Sequence, residues 1–312
     1  MNTDTNNKGT VTIIGAGVIG RSWAAAFLAG GYGVTISDPL DGIEEIVWEA
    51  LPKYLSGIPG RSFSEQDIRD LMTQVSFEKD VTKAARGAVA VQENGPEKEE
   101  FKQKLFSDLE RVVDAETLLL SSSSGITPQV IGATMRNPNR VVIGHPFNPP
   151  HQLPLVEVCG TVNADTTLIE RVMTFYKDLG KKPSQLKKPV PGFVANRLQT
   201  VLVMEALRLV KDGVVDIASL DQIMLNSLGP RWTSVGPLLA GHLGGGDGGL
   251  SGIISHILNH LAQNMGIEPF DDDSIAKIGA MAEEAYPLTE KARLADLRDR
   301  RTIQIIEIRM AE

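Results

Sequence analysis

A chain of 312 residues is long enough for two domains of ordinary size. Its 42% hydrophobic and 22% charged residues exclude a disordered, collagenous or coiled-coil polymer, and with only 5% aromatics the core must rest on Val, Ile, Leu and Ala. The 31 lysines and arginines stand against 39 acidic residues, a net charge of −8 that repels phosphate backbones and argues against nucleic-acid and anionic-membrane partners.

The first ten residues, MNTDTNNKGT, are polar and lack the apolar segment of a secretory signal. No run reaches the ~18 apolar residues of a membrane span. The single cysteine, Cys159, can form no internal disulfide, which fits a reducing compartment. A soluble, cytoplasmic protein is expected. From residue 11 to about 186, short apolar runs alternate with amphipathic stretches. Strands are predicted at 11–14, 34–36, 88–92, 117–120 and 141–143, with 153–158 extending the same sheet. Helical spacing falls between them, near 19–28, 43–54, 97–113 and 168–177. Strands that are apolar on both faces and alternate with helices predict an α/β fold, a Rossmann-like doubly wound parallel sheet.

The character changes at Lys187-Lys188-Pro189-Val190-Pro191-Gly192, where two prolines and a glycine stop any regular element. A domain boundary is placed there, giving residues 1–190 and 191–312. The second domain is expected to be all-helical, with helices at 193–210, 217–226, 250–262, 274–285 and 289–308. The glycine-rich run at 244–249 reads as a flexible loop. His256 and His260 are spaced i, i+4 as a metal pair would be, but no third ligand is evident, so no metal is expected. Cys159 reads as a packed thiol rather than a nucleophile.

Gly15-Ala16-Gly17-Val18-Ile19-Gly20 follows the first strand and opens an apolar helix, the context in which this glycine pattern binds a dinucleotide. Gly15 permits the tight turn, Gly17 the approach of a pyrophosphate, and Gly20 close helix–strand packing. The amides of Ala16, Val18 and Ile19 then lie at the helix start, where a diphosphate binds. Asp38 ends the second strand, where a carboxylate grips the adenosine ribose diol and repels a 2′-phosphate. The next residues, Pro39 and Leu40, offer no cation. The expected cofactor is NAD.

His145-Pro146-Phe147-Asn148-Pro149 closes a strand at the sheet's carboxyl edge, where ligand crevices form. Glu157 lies in the apolar run Pro154-Leu155-Val156-Glu157-Val158, and a carboxylate there is costly unless paired. His145 is the economical partner: the pair would fix the imidazole tautomer and raise its basicity.

These motifs together resemble the 3-hydroxyacyl-CoA dehydrogenase family. The likeness spans nearly the whole chain: the glycine loop, Glu97 in Pro96-Glu97-Lys98, the serines at 121–124, the HPFNP and PLVEV segments, and Pro191-Gly192-Phe193-Val194-Ala195-Asn196-Arg197. Within it the chain resembles the branch containing lambda-crystallin/L-gulonate 3-dehydrogenase and L-carnitine dehydrogenase, through Gly20-Arg21-Ser22-Trp23, the HPFNPP segment, and Arg231-Trp232 with Val235-Gly236-Pro237-Leu238. The glycine-rich stretch after His242 is closer to the carnitine enzymes, and Pro149-Pro150 to the gulonate enzymes. The resemblance implies that Ser124 binds substrate, that His145 is the base with Glu157 behind it, and that the helical domain delivers Asn196 to a cleft between the domains. It implies that Glu97 and Lys102 approach the nicotinamide end of the cofactor. Four consecutive serines leave the register of Ser124 open.

The expected reaction is oxidation of a secondary alcohol. CoA carries several phosphate charges, yet the helix after the second strand holds Asp41, Glu44, Glu45 and Glu49 against Lys53 alone. A small free 3-hydroxy acid is therefore the expected substrate, with Arg231 as a bidentate carboxylate clamp and Trp232 as a cation–π partner for a trimethylammonium group. The alternatives are a short-chain CoA-ester dehydrogenase and a non-catalytic, crystallin-like NAD-binding protein. Apolar positions at 201–210 and 253–261 exceed what a small helical domain can bury, and related dehydrogenases pair this way, so a homodimer through the helical domain is expected.

Overall fold

The computed structural model describes residues 8–311. The polar start of the chain, read above as lacking a secretory signal, lies mostly outside the described residues. Eight strands form one sheet: β1 (Thr10–Ile14), β2 (Gly33–Ser37), β3 (Val75–Phe77), β4 (Ala90–Glu93), β5 (Leu118–Ser121), β6 (Val141–Pro146), β7 (Leu155–Cys159) and β8 (Lys182–Gln185). Their order is β3-β2-β1-β4-β5-β6-β7-β8. All neighbours run parallel except β6 and β7, which pair antiparallel. This is the expected Rossmann-like sheet.

The central strands are apolar on both faces because helices cover both. Leu118 and Leu120 join one buried cluster, with Trp23, Phe27 and Tyr176, while Leu119 joins another, with Phe106, Leu109 and Phe193. The covering helices are α1 (Val18–Ala29), α2 (Ile43–Ser56), α3 (Glu65–Met72), α4 (Val81–Ala84), α5 (Glu99–Glu110), α6 (Pro128–Ile131) and α7 (Thr166–Asp178). Two strands escaped the sequence reading, β3 and β8. Both are edge strands, and β8, Lys-Pro-Ser-Gln, has neither an apolar face nor alternation to betray it.

The remaining elements are all helical: α8 (Ala195–Lys211), α9 (Ile217–Asn226), α10 (Leu228–Ser234), α11 (Pro237–Gly244), α12 (Gly249–Ile253), α13 (Asn259–Asn264), α14 (Asp272–Ala285) and α15 (Lys291–Met310). A π-helical turn, Ile254–Leu258, joins α12 to α13. The chain divides into two compact units, the first ending at Val201 and the second beginning at Leu202. The second unit has two small cores, one around Val235, Leu239 and Leu294, the other around Leu250, Ile254 and Ile275.

The glycine-rich run is not a flexible loop. Residues 246–248 form a 3₁₀ turn leading straight into α12. A Cβ on Gly245 would fall 1.7 Å from the Gly249 carbonyl oxygen, and one on Gly252 would fall 2.7 Å from that of Gly245. Gly245 and Gly252 serve close backbone packing and Gly249 leaves room for the His242 ring, whereas Gly246 and Gly248 face open space. His242 secures the turn, its Nδ1 accepting the Leu250 N–H at 3.0 Å.

Candidate active site

The loop after β1 has the geometry a dinucleotide requires. Gly15 has φ +82, and a Cβ there would meet the Asn94 carbonyl oxygen at 2.8 Å. A Cβ on Gly20 would collide with the Gly15 carbonyl oxygen at 1.9 Å, whereas Gly17 faces open space. The start of α1 carries no side-chain cap and no acidic residue in its first turn, so a diphosphate fits its amide end. The Ala16 amide is engaged otherwise: it donates to Asp38 Oδ2 at 2.7 Å, while Asp38 Oδ1 accepts from Leu40 N at 2.9 Å. Asp38 thus braces the glycine loop and keeps free lone pairs for a ribose diol. It lines a cavity of about 410 Å³ with Gly15, Gly17, Asn94 and Lys79. The sequence reading found no cation beside Asp38; Lys79, just past the end of β3, supplies one. Its ammonium is ion-paired with Asp41.

The four serines have four different fates. Ser121 donates to Glu93 Oε2 at 2.5 Å, and Ser123 donates to Glu97 Oε1 at 2.5 Å. The Ser122 hydroxyl is bonded to Trp23, Gln92 and Asn94. Ser124 is exposed, and among the described residues its hydroxyl has no hydrogen-bond partner. Glu97 also accepts the amides of Ser124, Gly125 and Ile126 at 3.1, 2.9 and 3.3 Å, so it shapes the turn that presents Ser124. Lys102, expected near the nicotinamide, does not present its ammonium to a cavity. It is 1% exposed, binds both Glu93 oxygens at 2.7 and 2.8 Å, and reaches Glu97 Oε2 at 3.4 Å. A buried ammonium needs such neutralisation, and Lys102 instead supports the two carboxylates that hold the serine turn.

Antiparallel pairing of β6 with β7 sets His145 directly opposite Glu157. His145 Nδ1 lies 2.9 Å from Glu157 Oε2, and both side chains are buried. Glu157 Oε1 accepts the Val194 and Ala195 amides at 3.0 Å each, at the start of α8. Burial alone would push the Glu157 carboxyl up; the hydrogen bonds from His145, Ala195 and Val194 outweigh it and hold the carboxyl below its ordinary range. An ionised carboxylate only accepts, so Nδ1 carries the proton and Nε2 of the neutral ring is left as the acceptor. Phe193, at φ 49 and fully buried, packs its ring 5.5 Å from that of His145. This left-handed backbone is tolerated because the buried ring and the two amides on Glu157 over-determine it.

Ser124, His145 and Asn196 line one cavity of about 440 Å³, with Ile19, Ser122, Phe147, Asn148 and Gln199. Every residue of this cavity belongs to the first unit, Asn196 included. Asn196 lies beyond the boundary expected at 190/191, and burial of Phe193 and the amides given to Glu157 fasten the first turn of α8 to the sheet unit. Arg231 and Trp232 lie in the second unit, on α10, and both are exposed. Arg231 forms no ion pair with an acid among the described residues. Among the described residues no group of three or more His, Cys, Asp or Glu side chains is placed to hold a metal ion. Cys159 is 1% exposed and its thiol is pushed up to about 11 by burial, as a packed thiol should be. Among the described residues no helix is long and apolar enough to cross a membrane.

Sequence reasoning missed Ser122, Asn94 and Lys79. Asn94-Gly95 directly after β4 was a turn signal at the carboxyl edge of the sheet, where cofactor residues gather. Nothing local marks Lys79.

The NAD-binding domain of 3-hydroxyacyl-CoA dehydrogenase matches residues 10–189, and the C-terminal domain of the same enzymes matches residues 192–277. The chain belongs to the 3-hydroxyacyl-CoA dehydrogenase family. It is an NAD-dependent dehydrogenase by that membership. A 3-hydroxyacyl-CoA dehydrogenase of Gibberella moniliformis is 39% identical over 76% of this chain and 73% of its own length. An L-carnitine dehydrogenase of Bacillus cereus is 34% identical over 78% of this chain and 73% of its own. The human lambda-crystallin homolog is 34% identical over 75% and 74%. The resemblance to the carnitine and crystallin branch read from the motifs is thus present across most of the chain.

Proposed function

We propose that the enzyme oxidises the 3-hydroxyl of a small free hydroxy acid to the 3-keto acid, with His145 as the base. The observation that carries this reading is the His145–Glu157 pair at 2.9 Å, standing on one cavity with Ser124 and Asn196. His145 Nε2 takes the alcohol proton, and Glu157 stabilises the imidazolium that forms. Ser124, whose hydroxyl has no protein partner among the described residues, and Asn196 hold the substrate oxygen and meet the charge that develops on it. NAD, when bound, would supply the acceptor for the carbinol hydride. Asp38 and the start of α1 hold its adenosine and diphosphate ends.

The acid-rich α2, with Glu44, Glu45 and Glu49 against Lys53, supports a free acid over a CoA ester. Arg231, unpaired with any acid among the described residues, is the proposed carboxylate clamp and Trp232 a second substrate contact. The 39% identity to a protein named 3-hydroxyacyl-CoA dehydrogenase supports the competing CoA-ester reading. NADH formation with L-carnitine, L-gulonate, 3-hydroxybutyrate and 3-hydroxybutyryl-CoA separates the two. Turnover of a free acid with little activity on the CoA ester is expected, and the reverse order overturns the substrate assignment.

The active species is proposed to be a homodimer joined through the helical unit, in a cytoplasmic setting. No residue of α8 or α9 is buried, and Leu207, Ile217 and Ile223 are 57%, 69% and 59% exposed. An apolar surface of that extent calls for a covering partner, and a second copy offers the same self-complementary helices.

A further inference from the structure

Trp23 and Ser122 come from distant parts of the sequence, yet they meet in one hydrogen-bond chain. The Tyr176 hydroxyl donates to Gln92 Oε1 at 2.6 Å. That leaves the Gln92 amide nitrogen to donate to Ser122 Oγ, at 2.8 Å, and Trp23 Nε1 donates to the same oxygen at 3.1 Å. With both acceptor positions of Oγ filled, the Ser122 proton goes to Asn94 Oδ1 at 2.8 Å. Asn94 Nδ2 closes the chain on the carbonyl oxygens of Gln92 and Ile14, at 2.9 and 3.4 Å. Only one orientation of each amide satisfies all of these bonds, so the chain has a single direction.

Both ends of the chain reach functional backbone. At one end the Tyr176 hydroxyl fills the notch left by Gly144, where a Cβ would fall 1.9 Å from it, one residue before His145. At the other end Asn94 binds Ile14, the residue before Gly15. Trp23, Gln92 and Tyr176 are fully buried, so the Tyr176–Gln92 bond is shielded from water, while the bonds through Ser122 and Asn94 are partly buried. Ser122 itself lines the cavity of His145, and Asn94 lines the cavity of Asp38.

We infer that Ser122 is a positioning residue that ties the substrate cavity to the cofactor cavity: its hydroxyl sets both the serine turn that presents Ser124 and the Asn94 carboxamide against the glycine loop. The substrate half of this inference rests on the reading of Ser124 given above; the cofactor half does not.

The test uses the full chain. Ser122→Ala strands two buried donors and one acceptor. It should weaken NADH binding, read by nicotinamide fluorescence, about tenfold, the effect of orphaning one buried group. It should also lower kcat for the free hydroxy acid at least as much, with a smaller change in KM and an unchanged pH profile. Ser122→Thr, which keeps the hydroxyl, should recover both quantities to within about threefold of wild type. Wild-type NADH affinity and kcat in Ser122→Ala would overturn the inference, as would Ser122→Thr being as impaired as Ser122→Ala. If Ser122→Ala does not fold, Trp23→Phe removes one donor and keeps an aromatic ring in the core; NADH affinity reduced about threefold supports the inference and wild-type affinity overturns it. A fully active Ser124→Ala would remove the substrate reading alone and leave the cofactor arm standing.

Discussion

Glu157 divides its carboxylate between His145 and the helix behind it: Oε2 lies 2.9 Å from the imidazole, and Oε1 accepts two amides from the start of α8. Orientation of the His145 ring and anchorage of the helix that carries Asn196 are therefore one interaction.

Glu157→Gln should fold and fail in catalysis. The carboxamide can still accept the two amides with one end, but its other end donates, so Nδ1 must become the acceptor and Nε2 the donor. The ring is then the wrong tautomer for a base, and kcat should fall by ~10²–10⁴ with NADH binding retained. Steady-state rates alongside fluorescence titration check both halves.

The same carboxyl predicts a pH dependence of stability. Its titration is held below the ordinary value of 4.5 in the folded state, so its contribution is present above that value and is lost as pH falls through the folded one. Urea unfolding should find wild type more stable than Glu157→Gln by about 1–3 kcal/mol near neutrality. The gap should close in acid. A gap that widens on acidification contradicts the assignment.

Cofactor choice turns on a trio rather than on Asp38 alone. NAD should be strongly preferred over NADP, and Asp38→Ala should narrow the preference. Asp41→Ala releases Lys79, which lines the same cavity, and should by itself improve NADP use severalfold. Comparing kcat/KM for both cofactors across the three proteins tests this, and an Asp41 variant with unaltered NADP use would show that Lys79 stays out of reach.

Gly144→Ala should destabilise the protein by about 1–3 kcal/mol, since its methyl would be driven into the buried Tyr176 hydroxyl. Thermal unfolding measures the loss. Gly17→Ala, whose added methyl faces open space, should leave the melting temperature near that of wild type while weakening NADH binding.

Arg231→Ala should raise KM for a free hydroxy acid by about ten- to a hundredfold, the worth of a charge-assisted pair, and leave NADH affinity unchanged. Light scattering should report a species of twice the chain mass, and Leu207→Glu should convert it to monomer. A wild-type monomer at working concentration ends the dimer reading.

What the sequence disclosed, and what it hid, follows from how local each signal is. The glycine loop and Asp38 announce themselves because strand, turn and helix start are adjacent in the chain. His145 and Glu157 could be paired on paper because a carboxylate in an apolar strand demands a partner. The serine register could not be read, since four identical residues differ only in what lies beneath them: Glu93 under Ser121, Glu97 under Ser123, and Trp23, Gln92 and Asn94 around Ser122. Lys102 was expected at the cofactor only through the family resemblance; the buried Glu93, with Glu97 beside it, draws its ammonium inward instead. The glycine run at 244–249 looked loose because composition alone cannot separate a glycine needed for motion from one needed for contact.

The reversal of direction between β6 and β7 separates two kinds of change. His145 and Glu157 are held by a ladder of backbone bonds, whereas residues 147–154, which turn the chain between them, contribute Phe147 and Asn148 to one cavity and Pro149, His151 and Gln152 to another. Substitutions in that turn would reshape those cavity walls without disturbing the His145–Glu157 pairing. On the function proposed above, selectivity could then change while the paired side chains stay in register.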